Sequence, residues 1–225
     1  MRYLKLFVLF FSVIFLYSCT TNKLLVSSVM SSEISDIQRF EPISNIQFIE
    51  KGNSQTYSDS LSLVSKNLIS EVLNSYKDII PITNNITITD IFLKDTLEKE
   101  IDYLFYLSRL QKEKSTPQLT PVIDSLLEAN GKRFGLITMS TGFTRAKYNY
   151  GLQVAKGLLI GILTMGMYIE TPVAANSAIQ VMIVDAKDNN VAFFRSSYFQ
   201  DKEPLDRKVI DKQIRKIFSG YFWEK

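Results

Sequence analysis

The residue types that most often carry out chemistry in proteins are nearly absent from this chain. Its 225 residues include no histidine and a single cysteine, Cys19. Without histidine there is no Ser-His-Asp triad, no Cys-His pair and no His-ligated zinc. The chemistry still open to the chain is that of paired carboxylates, of a Ser–Lys dyad, or of a metal site built from oxygen ligands.

The remaining candidates lack the spacing that such chemistry needs. Asp185 and Asp188 lie in the turn D-A-K-D-N-N, which has neither the glycine nor the distal Glu of a calcium loop. The sequence Ser-Thr-Gly at 140–142 lacks the Gly-Lys-Ser/Thr ending of a phosphate loop. We therefore predict a protein that is not an enzyme and has no catalytic residues, no metal and no cofactor.

Cys19 lies where bacterial lipoproteins carry their lipid. Arg2 and Lys5 precede the apolar run Leu6–Tyr17, which is the layout of a secretory signal. The run continues into Leu-Tyr-Ser-Cys, which resembles the lipobox of bacterial lipoproteins. This resemblance implies that residues 1–18 are removed and that acyl chains on Cys19 attach the protein to a lipid bilayer.

Two further features bear on this attachment. The alternative, an N-terminal transmembrane helix, is disfavoured because the apolar run is short for a span of about 20 residues. Residues 20–23, Thr-Thr-Asn-Lys, lack the acidic residues that commonly follow the cysteine in surface-exported lipoproteins of the Bacteroidetes. We predict an outer membrane lipoprotein whose domain faces the periplasm.

The charge balance gives no sign of a polyanionic partner. The chain has 26 basic and 23 acidic residues, and removal of Arg2 and Lys5 with the signal leaves 24 basic residues. Nucleic-acid binding requires a basic stripe or patch, which the sequence does not show. We therefore predict no nucleic-acid partner.

The most apolar stretch after the signal runs from Gly157 to Ile169 between Lys156 and Glu170. It is too short to cross a bilayer alone. Three interpretations stay open: a buried or half-buried element of the domain, a self-association surface in which Gly157 and Gly161 permit close approach, and a membrane-contacting segment. The candidate residues for contact with a partner or a membrane are Leu158, Leu159, Ile160, Ile162, Leu163, Met165, Met167 and Tyr168.

Periodicity predicts a single α/β (α+β) domain. Three- and four-residue apolar spacing predicts helices from Asp59, from Asp95, over 121–130 and near the C-terminus. Ala178–Asp185 and Val191–Tyr198 predict a β-hairpin. We expect a mixed sheet of about five strands packed with three to four helices.

The predicted division of the chain is a signal peptide at 1–18, a tether at 19–36 that can contribute one strand to the sheet, and a periplasmic domain at 37–225. The end of the chain, F-S-G-Y-F-W from Phe218, is either a partner-binding tip or a segment that docks on its own domain, and we favour docking.

The string from Gly157 through M-G-M-Y, Pro172 and A-N-S to Ile183-Val184-Asp185 resembles Bacteroidetes envelope lipoproteins of unassigned function. The order of a helix ending at Gly131, the strand Arg133–Met139, a hairpin and a closing helix more distantly resembles curli-secretion-type lipoproteins and the TolB N-terminal-like domain. This resemblance implies an α/β fold and no catalytic residues.

We therefore expect a lipid-anchored, non-catalytic envelope protein that acts as a periplasmic binding or assembly component, either with other envelope proteins or by self-association. Two alternatives stay open. One is an enzyme that acts on glycans or peptidoglycan through a carboxylate pair, which requires two acids facing each other across a cleft. The other is a lipid-handling protein, which requires an open apolar cavity or an exposed patch over 158–169.

Overall fold

The computed structural model describes residues 24–26, 29–110, 116–168 and 171–223. Within these ranges the chain forms one eight-stranded sheet and five α-helices. The strands are β1 (Leu24–Val26), β2 (Ile37–Arg39), β3 (Ile43–Ile49), β4 (Thr56–Tyr57), β5 (Ile82–Asn85), β6 (Phe134–Arg145), β7 (Asn176–Asp185) and β8 (Asn190–Gln200). The helices are α1 (Asp59–Asn74), α2 (Ile91–Leu110), α3 (Pro121–Ala129), α4 (Asn149–Leu163) and α5 (Arg207–Phe218).

Local signals in the sequence start and stop several of these helices. The Ser58 hydroxyl accepts a hydrogen bond from the Leu61 amide at 3.4 Å and caps α1. Asp206 caps α5 by accepting from the Lys208 amide at 2.8 Å. Pro121 occupies the first turn of α3, and Gly131 follows that helix with a φ of +62°.

The sheet is mixed and is arranged around the long strand β6. Strands β1, β8, β7 and β6 are consecutive antiparallel neighbours, while β2 and β3 both run parallel to β6 on its other side. β2 pairs with the first part of β6 and β3 with the second, so residues 40–42 interrupt what would otherwise be one strand. β5 then pairs in parallel with β2, and β4 pairs antiparallel with β3.

Two apolar cores lie on the two faces of this sheet. Alternate residues of β7 point to opposite faces, so Val181 and Ile183 belong to one core and Met182 and Val184 to the other. Helices α1 and α5 cover the first core, and α2 and α3 cover the second. A sheet covered on both faces explains why β7 reads as an almost continuous apolar run.

The C-terminal aromatic residues dock on the first core, as the sequence analysis favours. The ring of Trp223 meets that of Tyr76 edge-on, with 4.9 Å between centroids. The ring of Tyr221 lies 4.5 Å from that of Phe193, and its hydroxyl donates to the carbonyl of Val29 at 3.2 Å. Burial, with a smaller effect from the charge of Glu33, raises the pKa of Tyr221 to about 12.

The predicted α/β class, the mixed sheet and the C-terminal hairpin are confirmed, with more strands and helices than expected. The alternation of Ile86 and Ile88 predicts a strand at those residues, but the strand that pairs with β2 comes earlier, at Ile82–Asn85. The helix predicted from Asp95 already begins at Ile91. Of the segment predicted as a tether, Leu24–Val26 joins the sheet and both Val29 and Ile34 are buried in the first core.

Candidate functional site

The candidate site is helix α4, which lies within the connection between β6 and β7. These two strands are antiparallel neighbours, and such a pair can be joined by a turn of two residues. Here residues 146–175 make the connection. The sheet does not need so long a connection, and long loops in compact domains are usually functional.

Polar contacts fix the beginning of α4 at the end of β6. The Arg145 guanidinium donates from Nη1 to Asn149 Oδ1 at 2.8 Å and to the carbonyl of Gly52 at 2.9 Å. Its Nε donates to the carbonyl of Val173 at 2.8 Å. Asn149 is buried and donates from Nδ2 to the carbonyl of Glu50 at 3.3 Å. Arg145 therefore holds the start of α4 and the returning chain against the turn after β3.

The side of α4 that faces the domain is lined by small and polar residues. Asn149, Gly157 and Gly161 are buried, Gln153 is half-buried, and these four follow a spacing of four residues. A small cavity of about 40 Å³ lies between this side and two residues outside the helix, Asn53 and Pro172. Ile160, which also lines this cavity, and Val154 are half-buried, so the inward side of α4 carries few large apolar side chains.

The outward face carries the large apolar side chains. Of the predicted contact residues, Ile160 is half-buried and the other seven are exposed, including Ile162 at 76% and Met165 at 94%. The remaining exposed members are Leu158, Leu159, Leu163, Met167 and Tyr168. The stretch is therefore not a fully buried element: these seven side chains are exposed, while Gly157 and Gly161 are buried and Ile160 is half-buried.

Sequence reasoning missed two members of this outward face. Leu152 and Tyr148 are also exposed, at 67% and 73%. Leu152 lies seven residues before Leu159, a spacing that brings two side chains to the same side of a helix. That spacing could have shown that the apolar face begins one turn before Gly157.

This arrangement reverses the usual amphipathic helix, in which apolar side chains face the core and polar ones face water. Burying one Leu or Ile side chain stabilises a fold by roughly 1.5–3 kcal/mol. Because several such side chains of α4 face water, the fold does not gain this stabilisation from them. Because Gly157 and Gly161 face the domain, they are not available for the close helix approach that the glycine spacing suggested. Exposed apolar surfaces of this kind are typical of sites that contact a partner or a membrane.

A second feature, which sequence reasoning missed, is a cavity of about 300 Å³ where the interruption between β2 and β3 meets α2. Arg39 lines it and is 5% exposed, and its Nη1 donates to the Ser70 carbonyl and to Asn74 Oδ1 at 3.2 and 3.3 Å. Burial lowers the pKa of Arg39. No residue pattern around I-Q-R-F signals this cavity, which forms only when distant elements meet.

Two acids, Glu41 and Glu98, line the same cavity. The Lys94 ammonium donates to Glu41 Oε2 at 2.7 Å, and this hydrogen bond, with a charge contribution from Lys66, lowers the pKa of Glu41. A general acid that works near neutral pH needs the opposite shift. Glu41 therefore acts as the partner of two lysines.

The acids of the predicted hairpin also have structural partners. Asp185 is fully buried, and Arg133 donates to both of its carboxylate oxygens, from Nε at 2.9 Å and from Nη2 at 2.7 Å. Among the residues that the structure describes, no group of three His, Cys, Asp or Glu side chains is placed to hold a metal ion.

Cys19 and the signal peptide at 1–18 lie outside the described residues, so lipidation stays a prediction. In the part of the chain that the structure describes, no helix combines the length and the apolar character needed to cross a bilayer.

Neither known protein families nor curated proteins give a match to this chain. Solved structures with a distantly similar fold include the PelC dodecamer from Paraburkholderia phytofirmans, at 8% identity and a TM-score of 0.39 over 91% of this chain and 99% of that one. A DUF4136 family protein from Bacteroides thetaiotaomicron matches at 10% identity and a TM-score of 0.36 over 91% and 98%.

The C-terminal domain of LpoB from Salmonella enterica matches at 6% identity and a TM-score of 0.29, over 78% of this chain and 87% of that domain. Similarity at this level does not identify a function for this chain.

Proposed function

We propose that this protein is a lipid-anchored, non-catalytic envelope protein of the outer membrane that acts as a periplasmic binding or assembly component. Its contact surface is the outward face of α4, formed by Leu152, Leu158, Leu159, Ile162 and Leu163. Acylated Cys19 is its attachment to the bilayer.

The observation that carries this proposal is the orientation of α4, whose large apolar side chains face away from the domain. This helix turns Gly157 and Gly161 toward the domain and all four of its leucines to water. The long connection that contains it is not required by the pairing of β6 with β7. An apolar face left exposed on a connection longer than the strand pairing requires is best explained by binding.

The alternative function, that of a carboxylate-dependent enzyme, has less support. Glycan hydrolysis requires one acid that stays protonated near neutral pH. In the cavity lined by Arg39, the pKa of Glu41 is lowered by Lys94 and Lys66. Asp102 does have a raised pKa, caused by desolvation, but this residue is not part of the cavity lining.

The lipid anchor is tested by metabolic labelling with a radioactive fatty acid in the native host. The wild-type protein is expected to incorporate the label, and Cys19→Ala to lose it completely, because the lipobox cysteine is the only thiol in the chain. Cys19→Ser, which keeps the size and polarity of the side chain, serves as a second variant. Equal labelling of wild type and variants would refute the anchor.

The contact surface is tested by photo-crosslinking in intact cells, with a photoreactive residue at position 163. We expect crosslinked products when the other residues of the face are wild type. We expect these products to be lost in the double variant Leu159→Gln, Ile162→Gln, because two exposed apolar side chains become polar. Leu63→Gln is the matched control, since Leu63 in α1 is a leucine of the same exposure, 58% against 57% for Leu159.

Circular dichroism should show the same folded state for all of these variants, because every substituted side chain faces water. Crosslinks that persist unchanged in the double variant would contradict the assignment of this face. Products that contain a second copy, another envelope protein or lipid would identify which kind of partner the face meets.

A further inference from the structure

The direction of β1 in the sheet shows toward which end of the domain its N-terminal end points. β1 runs antiparallel to β8, with Val26 opposite Phe193 and Leu24 opposite Arg195. The N-terminal end of β1 therefore points toward the Gln200 end of β8. That end of the sheet is where Gln200 pairs with Asn176, the first residue of β7.

Helix α4 lies at the same end. Asn176 also pairs with Phe143, close to the end of β6, and α4 is inserted directly between these two strands. The inward side of α4 faces Asn53 and Pro172, and Asn53 belongs to the turn that follows β3 at this end. The turn that joins β7 to β8, with Lys187 exposed in it, lies at the opposite end.

The distance from the sheet to the anchor is short. Cys19 is five residues before Leu24, and five residues reach about 18 Å even when fully extended. Cys19 therefore stays within about 18 Å of Leu24, and the N-terminal end of β1, the strand that follows it, points to the end of the sheet that carries α4. The bilayer and the outward face of α4 are therefore held close together.

We propose that the occupant of the outward face of α4 is the surface of the bilayer to which Cys19 is attached, with the helix lying in the interface and Leu159, Ile162 and Leu163 directed into the acyl region. This proposal deepens the proposed function and rests on the lipid anchor at Cys19.

The chemistry of the helix fits a lipid surface. Lys156 is the only charged side chain from Tyr148 to Tyr168, and a lysine can lay its methylene stem on apolar lipid while its ammonium reaches the headgroups. Exposed Tyr148 and Tyr168 flank the apolar residues, and tyrosine favours the interface between lipid and water. Fifteen residues are too few to span a bilayer, and an interfacial helix does not need to.

A lipid surface also accommodates this face better than a second copy of the chain. Protein partners require complementary shape at close range. Gly157 and Gly161, the residues that would permit a helix to approach closely, are turned toward the domain. Acyl chains adapt to protruding side chains such as those of Met165 and Met167 without a matched surface.

The test uses the mature lipoprotein in vesicles of phosphatidylethanolamine and phosphatidylglycerol. Because acylation blocks Cys19, an introduced cysteine is the only free thiol, and it is labelled with an environment-sensitive fluorophore. We compare Leu159→Cys and Ile162→Cys on the outward face with Lys187→Cys at the opposite end. Phospholipids carrying a spin label in the acyl chain serve as the quencher.

We expect the quencher lipids to remove most of the fluorescence at positions 159 and 162 and to leave position 187 at the level seen without quencher. Equal, weak quenching at all three positions in vesicle-bound protein would overturn the proposal, as would quenching at 187 as strong as at 159. Protein that fails to float with the vesicles would instead contradict the lipid anchor at Cys19. Failure of the anchor is therefore distinguishable from failure of the membrane contact of α4.

Discussion

At the scale of single residues, the pair Arg133–Asp185 shows how the domain tolerates a fully buried charge. The Asp185 carboxylate accepts from two guanidinium nitrogens of Arg133 and also from the amide of Lys187 at 3.0 Å. The hydrogen bond with Asp185 raises the pKa of Arg133. The same carboxylate thereby connects the start of β6 to the turn after β7.

Substitution Asp185→Asn is expected to destabilise the protein by about 2–4 kcal/mol, because it removes the charge from a buried, bidentate pair and leaves the polar groups around it poorly matched. The free energy of unfolding in urea measures this. Asp188→Asn is the matched control: its carboxylate is 46% exposed and 3.4 Å from the same guanidinium. We expect a loss of at most about 1 kcal/mol there. Equal losses of unfolding free energy in the two variants would show that burial of Asp185 does not increase the contribution of its ion pair to stability.

At the scale of elements, Gly142 determines how closely β6 and β7 approach before the chain leaves for α4. A Cβ at Gly142 would lie 2.3 Å from the carbonyl oxygen of Asn176 and 3.1 Å from Cβ of Pro204. The first of these contacts is with backbone of the paired strand, which cannot move without breaking the ladder. A residue without a side chain is therefore required at this position.

We expect Gly142→Ala to lower the free energy of unfolding by about 2–4 kcal/mol through this overlap. The control is Gly151→Ala in α4, where a Cβ would meet nothing within 4 Å and where alanine favours the helix by up to about 1 kcal/mol. Thermal unfolding followed by circular dichroism should move the two melting temperatures in opposite directions. A melting temperature for Gly142→Ala equal to that of wild type would show that the strands can separate at this point without cost.

The elements that could be predicted from the sequence are those specified by nearby residues. Helix α3 carries its own start and stop in Pro121 and Gly131, and the hairpin of β7 and β8 carries alternation and a turn. The short strands β2 and β5 could not be predicted, since each is defined by pairing with a distant segment. Three or four residues are too few to show a period.

The sequence shows which residues of the candidate site are apolar, but it does not show which way their side chains face. The run from Leu158 to Leu163 signals an apolar helix in any environment, and the usual assumption is that such a helix is buried. What decides its orientation is that Gly157 and Gly161 pack inward, at a position fixed by Arg145 and its contacts with the turn after β3. The cavity at Arg39 has no sequence signal because its lining comes from four separate stretches of the chain.

At the scale of the whole molecule, the two cores share one sheet and cannot be separated. Adjacent residues of β6 and β7 alternate between the cores, so loss of either core exposes one face of the same strands. The C-terminal residues close the first core by contact with Tyr76 and Phe193, and Tyr221 reaches back to Val29 near the beginning of the described chain. The outward face of α4 lies outside both cores and carries a row of exposed large apolar side chains.

This shared sheet predicts that the domain unfolds as one cooperative unit. Trp223, the only tryptophan, packs on the first core, so its fluorescence reports that side, while far-ultraviolet circular dichroism reports the whole fold. Leu104→Ala, which empties a fully buried position of the second core, should cost about 2–5 kcal/mol and shift both urea transitions equally. A Trp223 transition that stays in place while the dichroism signal shifts would show that the two faces unfold independently.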